Sequence, residues 1–364
     1  MIFFGSKPKS FLGIDIGTAS IKVVQLKKVE DKFKLETYGE ISTVGYVERL
    51  NESLQSTSLK TLEAVNREMV RTILERAKTT TKNVVMTIPV FSSFISVIEM
   101  PEIAEGELSR AVEFEARKYI PIPSAEVVLD WKIIDSGMIK DDTSEKPFKG
   151  KRILLIAVPK EVVNKYLKIV EALKLKVIAL ELESFSFARA LAFGETEPMC
   201  VLDIGARATS FTIIDRGTVQ MSHGLDIAGA EMTRTLAISL GVAFRRAEDF
   251  KLTHGIDHAE ESVNNERKEI KEALMTLIDE ILSGSERMIN AYQIKTGRKI
   301  TKLILNGGTA LMEGLKEYTE KKLNIKTFIA DPWKRVIYPP NIEKTIKELG
   351  PEFSVAVGAA MREK

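Results

Sequence analysis

The chain is poor in cysteine and histidine, and each shortage closes off a class of chemistry. With one Cys in 364 residues no intrachain disulfide can form. That residue, Cys200, sits in the apolar run before Asp203 and reads as a small buried core residue rather than a reactive thiol. Among three histidines, His254 and His258 are four apart with acidic neighbours. Gly255 breaks the helix between them and no third ligand is fixed by spacing, so the segment reads as a solvated charged face rather than a metal site. Charge of one sign is also lacking: 53 Lys and Arg face 51 Asp and Glu, for a net charge of +2. There is no polyanion-binding tail, and the basic residues are not interleaved with aromatics as at single-stranded nucleic-acid sites. Nucleic acid is therefore not an expected partner. Long apolar runs are missing too. Stretches such as Ile153 to Pro159 are strand-sized, far below the ~20 residues of a spanning helix. Met1-Ile2-Phe3-Phe4 is too short for a signal peptide's apolar region and reads as a frayed start. The Walker and dinucleotide glycine fingerprints are absent.

What is present is a repeat. Ile14-Asp15-Ile16-Gly17-Thr18-Ala19-Ser20 and Leu202-Asp203-Ile204-Gly205-Ala206-Arg207-Ala208-Thr209 each run from an apolar stretch through Asp-x-Gly to a hydroxyl residue, then back to a strand pattern. In such a strand–turn–strand unit the Gly lets the backbone approach a phosphate, and the Asp can hold a divalent cation through water. Either loop alone also reads as an ordinary Asx turn. A third segment, Leu303-Ile304-Leu305-Asn306-Gly307-Gly308-Thr309, is an apolar strand that breaks at Gly-Gly and is expected to open a helix, whose N-terminus suits an anion.

The order of these segments resembles the actin-like ATPase superfamily. By that resemblance, Phe11 to Val24 is the first phosphate loop, Val201 to Asp215 the second, and Leu303 to Leu315 the adenosine loop. Ala179 to Leu191 and Val355 to Met361 are similar to its two connecting helices. Within the superfamily, several strings resemble the PilM family of type IV pilus machinery, and next the FtsA family of cell division. They are Pro101-Glu102-Ile103 with the helix Glu107 to Tyr119 and Ile120-Pro121-Ile122-Pro123, then Ala247-Glu248-Asp249-Phe250-Lys251, and Asp331-Pro332-Trp333. Ala228 departs from the family's first Gly in the Gly-Gly-x-x-x-Thr turn, whereas Gly229 and Thr233 match.

The resemblance implies an α/β, actin-like ATPase fold, with two lobes around a nucleotide cleft and an extra small α/β subdomain inserted in the first lobe. Residues 1–89 form the first lobe, 90–175 the insertion, 176–199 the return to the first lobe, 200–350 the second lobe and 351–364 the terminal connecting helix. ATP and Mg²⁺ are the implied ligands. Asp15 and Asp203 face the metal through water. Gly17, Thr18, Ser20, Gly205, Thr209 and Gly229 line the phosphates, with Lys22 neutralising charge and Glu231 beside them. Glu248 and Lys251 approach the ribose, and Gly307 and Gly308 the base. Glu183 falls where the first connecting helix carries the group that orients attacking water, and a salt bridge is the equal alternative. At most a slow ATPase is expected. The implied role is a cytoplasmic scaffold, peripheral at the inner face of the inner membrane, that binds the N-terminal tail of a PilN-type membrane protein and meets other pilus assembly proteins. Self-association stays open. An FtsA-like filament protein and a small-molecule kinase are the alternatives. FtsA-type proteins end in a basic amphipathic helix whereas this chain stops at Arg362-Glu363-Lys364, so membrane contact is expected only through partners.

Periodicity supplies the remaining elements: strands Phe33 to Ile41, Asn83 to Ile88, Phe94 to Glu99, Val127 to Ile134 and Ile153 to Val158, and helices Lys60 to Lys78 and Glu161 to Leu173. Asp135 to Lys151 reads as a solvated hairpin loop. In Glu266 to Lys295, apolar residues at Ile270, Leu274, Leu277, Ile281, Met288 and Tyr292 come near a heptad, which fits packing inside the second lobe better than a coiled-coil dimer because Gly284 interrupts it.

Overall fold

A computed structural model describes residues 10–43, 59–139, 148–256 and 265–363. The chain divides into two compact units, one of residues 1–89, 164–193 and 330–364, the other of residues 90–163 and 194–329.

The first unit is built on six strands in the order β14-β3-β2-β1-β4-β8. β1 (Ser10–Ile16) and β2 (Ser20–Val29) form an antiparallel hairpin that opposes Asp15 to Lys22. Both are buried along most of their length, as in a sheet covered on both faces. β3 (Lys32–Ser42) continues the meander and pairs with the short β14 (Val336–Ile337). β4 (Asn83–Ile88), reached through helix α1 (Leu59–Arg76), is parallel to β1, and β8 (Lys176–Leu182) is parallel to β4. Helix α4 (Glu183–Leu191) follows directly, and α9 (Glu343–Ala360) packs against both α4 and β1.

Two expectations are corrected here. Residues Ala179 to Leu182 belong to β8, since Ala179 registers with Val85 and Leu182 with Ile88, so the first connecting helix begins only at Glu183. The second is longer than Val355 to Met361, running from Glu343 and carrying Pro351 inside it.

The second unit holds a five-stranded sheet, β11-β10-β9-β12-β13. The strands are β9 (Met199–Ile204), β10 (Thr209–Asp215), β11 (Thr218–Leu225), β12 (Lys302–Asn306) and β13 (Lys326–Ile329). Its core also takes side chains from α5 (Gly229–Leu240), α6 (Phe244–Thr253), α7 (Asn265–Thr296) and α8 (Leu315–Leu323). α7 lies in that core, with Ile270, Leu274, Ile278, Ile281, Leu282, Ile289 and Tyr292 buried. Leu277 and Met288, which the heptad reading selects, are only partly buried. A straight helix drifts away from a seven-residue repeat, so over 32 residues the buried row moves to the neighbouring position.

The same unit carries a three-stranded antiparallel sheet, β5-β7-β6, made of β5 (Phe94–Pro101), β6 (Val127–Ile139) and β7 (Phe148–Pro159). Helix α2 (Glu105–Ala116) covers it through Leu108, Val112 and Ala116 against Ile98, Met100, Ile153 and Leu155. Helix α3 (Lys160–Ala172) leads out of it. The expected loop Asp135 to Lys151 is in part sheet: β6 continues to Ile139 opposite Phe148, because main-chain pairing persists where side-chain alternation has faded. Residues 140–147, His258 and Met1 to Phe4 lie outside the described residues.

Candidate functional site

In the second unit, four elements deliver site residues to one place. β9 carries Asp203 one residue before its end, the turn to β10 holds Gly205, α5 begins at Gly229, and β12 ends at Asn306 before Gly307. The first two turns are stitched together by backbone: Gly229 N–H donates to Gly205 O (2.9 Å) and Ala230 N–H to Ala206 O (2.8 Å). The opening amides of α5 are therefore spent on the carbonyls of the Gly205 turn. What Gly229 supplies is closeness, since a Cβ there would lie 2.5 Å from Thr309 Oγ1 and 3.3 Å from Lys251 Nζ. Gly307 is held at φ +82°, and a Cβ on it would meet Ile204 O at 2.5 Å and Asp203 Oδ1 at 2.9 Å. Only glycine fits that backbone against that carboxylate. Gly308 opens a single 3₁₀ turn, Gly308–Leu311, and α8 starts only at Leu315 behind Gly314, so the expected helix after Gly-Gly is delayed.

Around Gly229 lies a buried polar knot. Lys251, 2% exposed, donates to Gly229 O (3.2 Å), Thr233 Oγ1 (3.1 Å) and Glu248 Oε2 (2.8 Å). Thr233 also bonds Glu248 Oε2 and Gly229 O. Burial pulls the Lys251 ammonium down, against the charge and hydrogen bond of Glu248, which hold it up. Thr209 donates to Ile227 O (2.6 Å), fastening β10 to the segment before α5. Glu231 lies on another face of α5, lining a cavity of about 500 Å³ with Arg207, Asp226 and Arg234. Asp203 Oδ1 accepts from Asn306 Nδ2 at 2.9 Å.

In the first unit the Asp15–Ser20 turn is a tight one, a Cβ on Gly17 falling 2.9 Å from Ser20 O. Thr18 O accepts from Thr43 Oγ1 (2.5 Å). Asp15 is 8% exposed and takes a hydrogen bond from Thr87 Oγ1 (3.3 Å). Burial raises its carboxyl, with Lys22 opposing. Lys22 is held by Ser20 Oγ (2.6 Å), Glu40 (3.3 Å) and Glu352 (3.7 Å), so the cation that the resemblance assigns to phosphate sits among carboxylates. Glu183 is half-buried in the first turn of α4. Tyr166, buried in α3, has its phenol raised first by burial and then by the negative charges of Glu183 and Asp15.

Glu40, Glu352 and Asn306 went unread in the sequence. Strand alternation could have found the first, since Glu40 registers with Lys22 across the β2–β3 pair. Nothing local marks Glu352, which α9 brings in. Asn306 looks like the end of a strand until its register with Asp203 is known.

Among the described residues no group of three or more His, Cys, Asp or Glu could hold a metal by itself. The buried Asp15 carboxylate of the first unit and the half-buried Asp203 carboxylate of the second are each hard oxygen donors, of the kind that meets Mg²⁺ through water rather than in an all-protein cage. The narrow loops at Gly205 and Gly307 and the buried ammonium of Lys251 suit an anionic nucleotide.

The type IV pilus assembly protein PilM family model matches residues 13–364. The chain is 23% identical over 363 residues to the cell division protein FtsA of Enterococcus faecalis, with 89% of this chain and 79% of that protein covered. Among solved structures it is similar to a PilM–PilN type IV pilus biogenesis complex (TM-score 0.78, 23% identity, 96% of this chain and 97% of that one). It is also similar to a MamK double helical filament (TM-score 0.55, 13% identity, 97% and 98%). These likenesses identify the fold as that of the actin-like ATPases. With a family match over nearly the whole length, the chain belongs to the type IV pilus assembly protein PilM family.

Proposed function

We propose that this PilM-family chain is an ATP-binding scaffold of a type IV pilus or related secretion machine, working at the cytoplasmic face of the inner membrane. The observation that carries the nucleotide part is the convergence in the second unit of the Gly205 turn, the Gly229 helix start, the Glu248–Lys251 pair and the Gly307 turn. Gly205, Thr209 and Gly229 with Gly17, Thr18, Ser20 and Lys22 contact phosphates. Glu248 and Lys251 take the ribose, and Gly307 and Gly308 the base. Asp15 and Asp203 orient water around Mg²⁺, which when bound offsets phosphate charge. MreB5 of Spiroplasma citri, a fold relative with TM-score 0.52, was solved bound to AMPPNP, which supports the same class of ligand here.

The nucleotide serves as a conformational ligand, favouring one arrangement of the chain over another. Glu183 is the one candidate to orient water, and turnover is slow. The partner is the N-terminal cytoplasmic tail of a PilN-type membrane protein. Support comes from the similar PilM–PilN complex, and from Phe114 and Tyr119, exposed by 66% and 42% on and just after α2. Among the described residues no helix is long and apolar enough to cross a membrane, which fits attachment through that partner.

The test is a binding titration of a labelled PilN-type tail peptide, with and without Mg-ATP, beside a thermal melt. Saturable peptide binding that weakens in Phe114→Ala supports the scaffold reading, and binding indifferent to that change removes α2 from the docking surface. Ligand at a hundredfold excess over Kd should stabilise the fold by roughly 2.7 kcal/mol. A melt unmoved by saturating Mg-ATP would end the nucleotide reading.

A further inference from the structure

We propose that Asn306 is a positioning residue for the metal side of this site, holding the Asp203 carboxylate in one orientation. The inference rests on the nucleotide reading above and deepens it.

β12 runs parallel to β9, and the register ends with Asn306 opposite Asp203. Asn306 is 1% exposed and gives its Nδ2 to Asp203 Oδ1 at 2.9 Å. Its own Oδ1 is buried and accepts no hydrogen bond from any described residue. Packing alone does not account for such a residue. A side chain that ended β12 for stability would be apolar, because an orphaned buried acceptor costs more than its neighbouring donor returns. The next residue closes on the same atom: Gly307 brings its Cα so near that a Cβ would lie 2.9 Å from Asp203 Oδ1. One oxygen of Asp203 is therefore pinned by an amide donor and by the main chain.

A pinned first oxygen fixes the carboxylate plane, and with it the direction in which the group can accept from a metal-bound water. The residue type follows from that task. Aspartate at 306 would set two negative charges against each other, and serine would be too short to span the strands. Outer partners of this kind set metal affinity by about 10–100-fold in metal sites generally.

The experiment uses the full chain and measures two affinities by calorimetry: ATP in excess EDTA, and the Mg²⁺ concentration that half-saturates the added tightening at fixed ATP. Asn306→Leu removes the donor at similar volume, and Asn306→Ser is a milder second variant should the first fold poorly, with ligand-free melting as the check on both. The expected result is a rise of about tenfold in the Mg²⁺ requirement, with metal-free ATP affinity within about twofold of the parent. Parent-like Mg²⁺ dependence in both variants would overturn the inference while leaving nucleotide binding intact. Equal loss of metal-free and Mg²⁺-dependent binding would also overturn it, because Asn306 would then only be shaping the loop. If the parent itself shows no ATP binding, the nucleotide reading fails first and this one with it.

Discussion

Glu181 gathers four hydrogen bonds on one buried carboxylate, from Ser186 Oγ (2.6 Å), both Nη atoms of Arg189 (2.7 and 2.8 Å) and Arg362. Arg189 also donates to Gly358 O (2.6 Å), so the knot ties β8, α4 and the end of α9 together. Burial alone would raise the carboxyl, but the hydrogen bonds and charges of the two arginines with Ser186 outweigh it and hold it below its usual 4.5. A lowered carboxyl stabilises the fold above the unfolded value and loses that contribution as pH falls through the folded one. Glu181→Gln should cost about 3 kcal/mol in urea unfolding at pH 7, with a smaller difference at pH 3. The opposite sign holds at the Lys22 cluster. Glu352 is raised, chiefly by burial, with Lys22 lowering it and Glu40 raising it. A raised carboxyl favours the fold below its unfolded 4.5 and loses that favour as pH climbs through the folded value. The melting temperature of Glu352→Gln relative to the parent should therefore rise between pH 4 and pH 7. Lys22 keeps one fewer competing carboxylate in this variant, so ATP should also bind a few-fold tighter. A pH-independent difference would mean that protonation of Glu352 has no share in stability.

Among elements, α9 makes the closest approaches in the first unit. A Cβ on Gly358 would fall 1.8 Å from Ser186 O, and one on Gly13 would fall 2.1 Å from Ala356 O. Backbone cannot yield as a side chain can, so Gly358→Ala should force α9 from α4 and cost about 3 kcal/mol, read from denaturant midpoints. Gly106 is the contrast. It is exposed in α2 with nothing within 4 Å of a Cβ, so Gly106→Ala should gain about 0.5–1 kcal/mol. A loss there, or tolerance at Gly358, would contradict the packing described. Local pattern made most strands and helices readable, because apolar periodicity reports burial one element at a time. Asn83–Ile88 was expected with the bounds observed, and Lys60 to Lys78 lies within two residues of α1. Pattern failed where distant partners decide. Ala179 to Leu182 extends only because β4 lies beside it, and β6 outruns its alternation because β7 pairs with it. In the site, glycines and aspartates announce themselves by type and spacing. Asn306, Glu40 and Glu352 do not, since their significance lies wholly in what the fold sets opposite them.

For the molecule as a whole, the distinguishing prediction is binding with little turnover. Phosphate release should stay below ~1 s⁻¹, the low end of the usual enzyme range, while Mg-ATP still raises the melting temperature. Sustained turnover above that rate, abolished in Glu183→Ala, would make the chain an enzyme first and a scaffold second. The lone thiol offers a separate handle. Cys200 is 0% exposed in β9, the middle strand of the five-stranded sheet, and burial pushes its thiol well up. A maleimide or disulfide reagent reaches it only when that sheet opens, so its labelling rate in native buffer is a clock for opening of the second unit. The clock needs no engineered probe, since no other cysteine competes for reagent. Any nucleotide that draws β9 and β12 together through Asp203 should slow it.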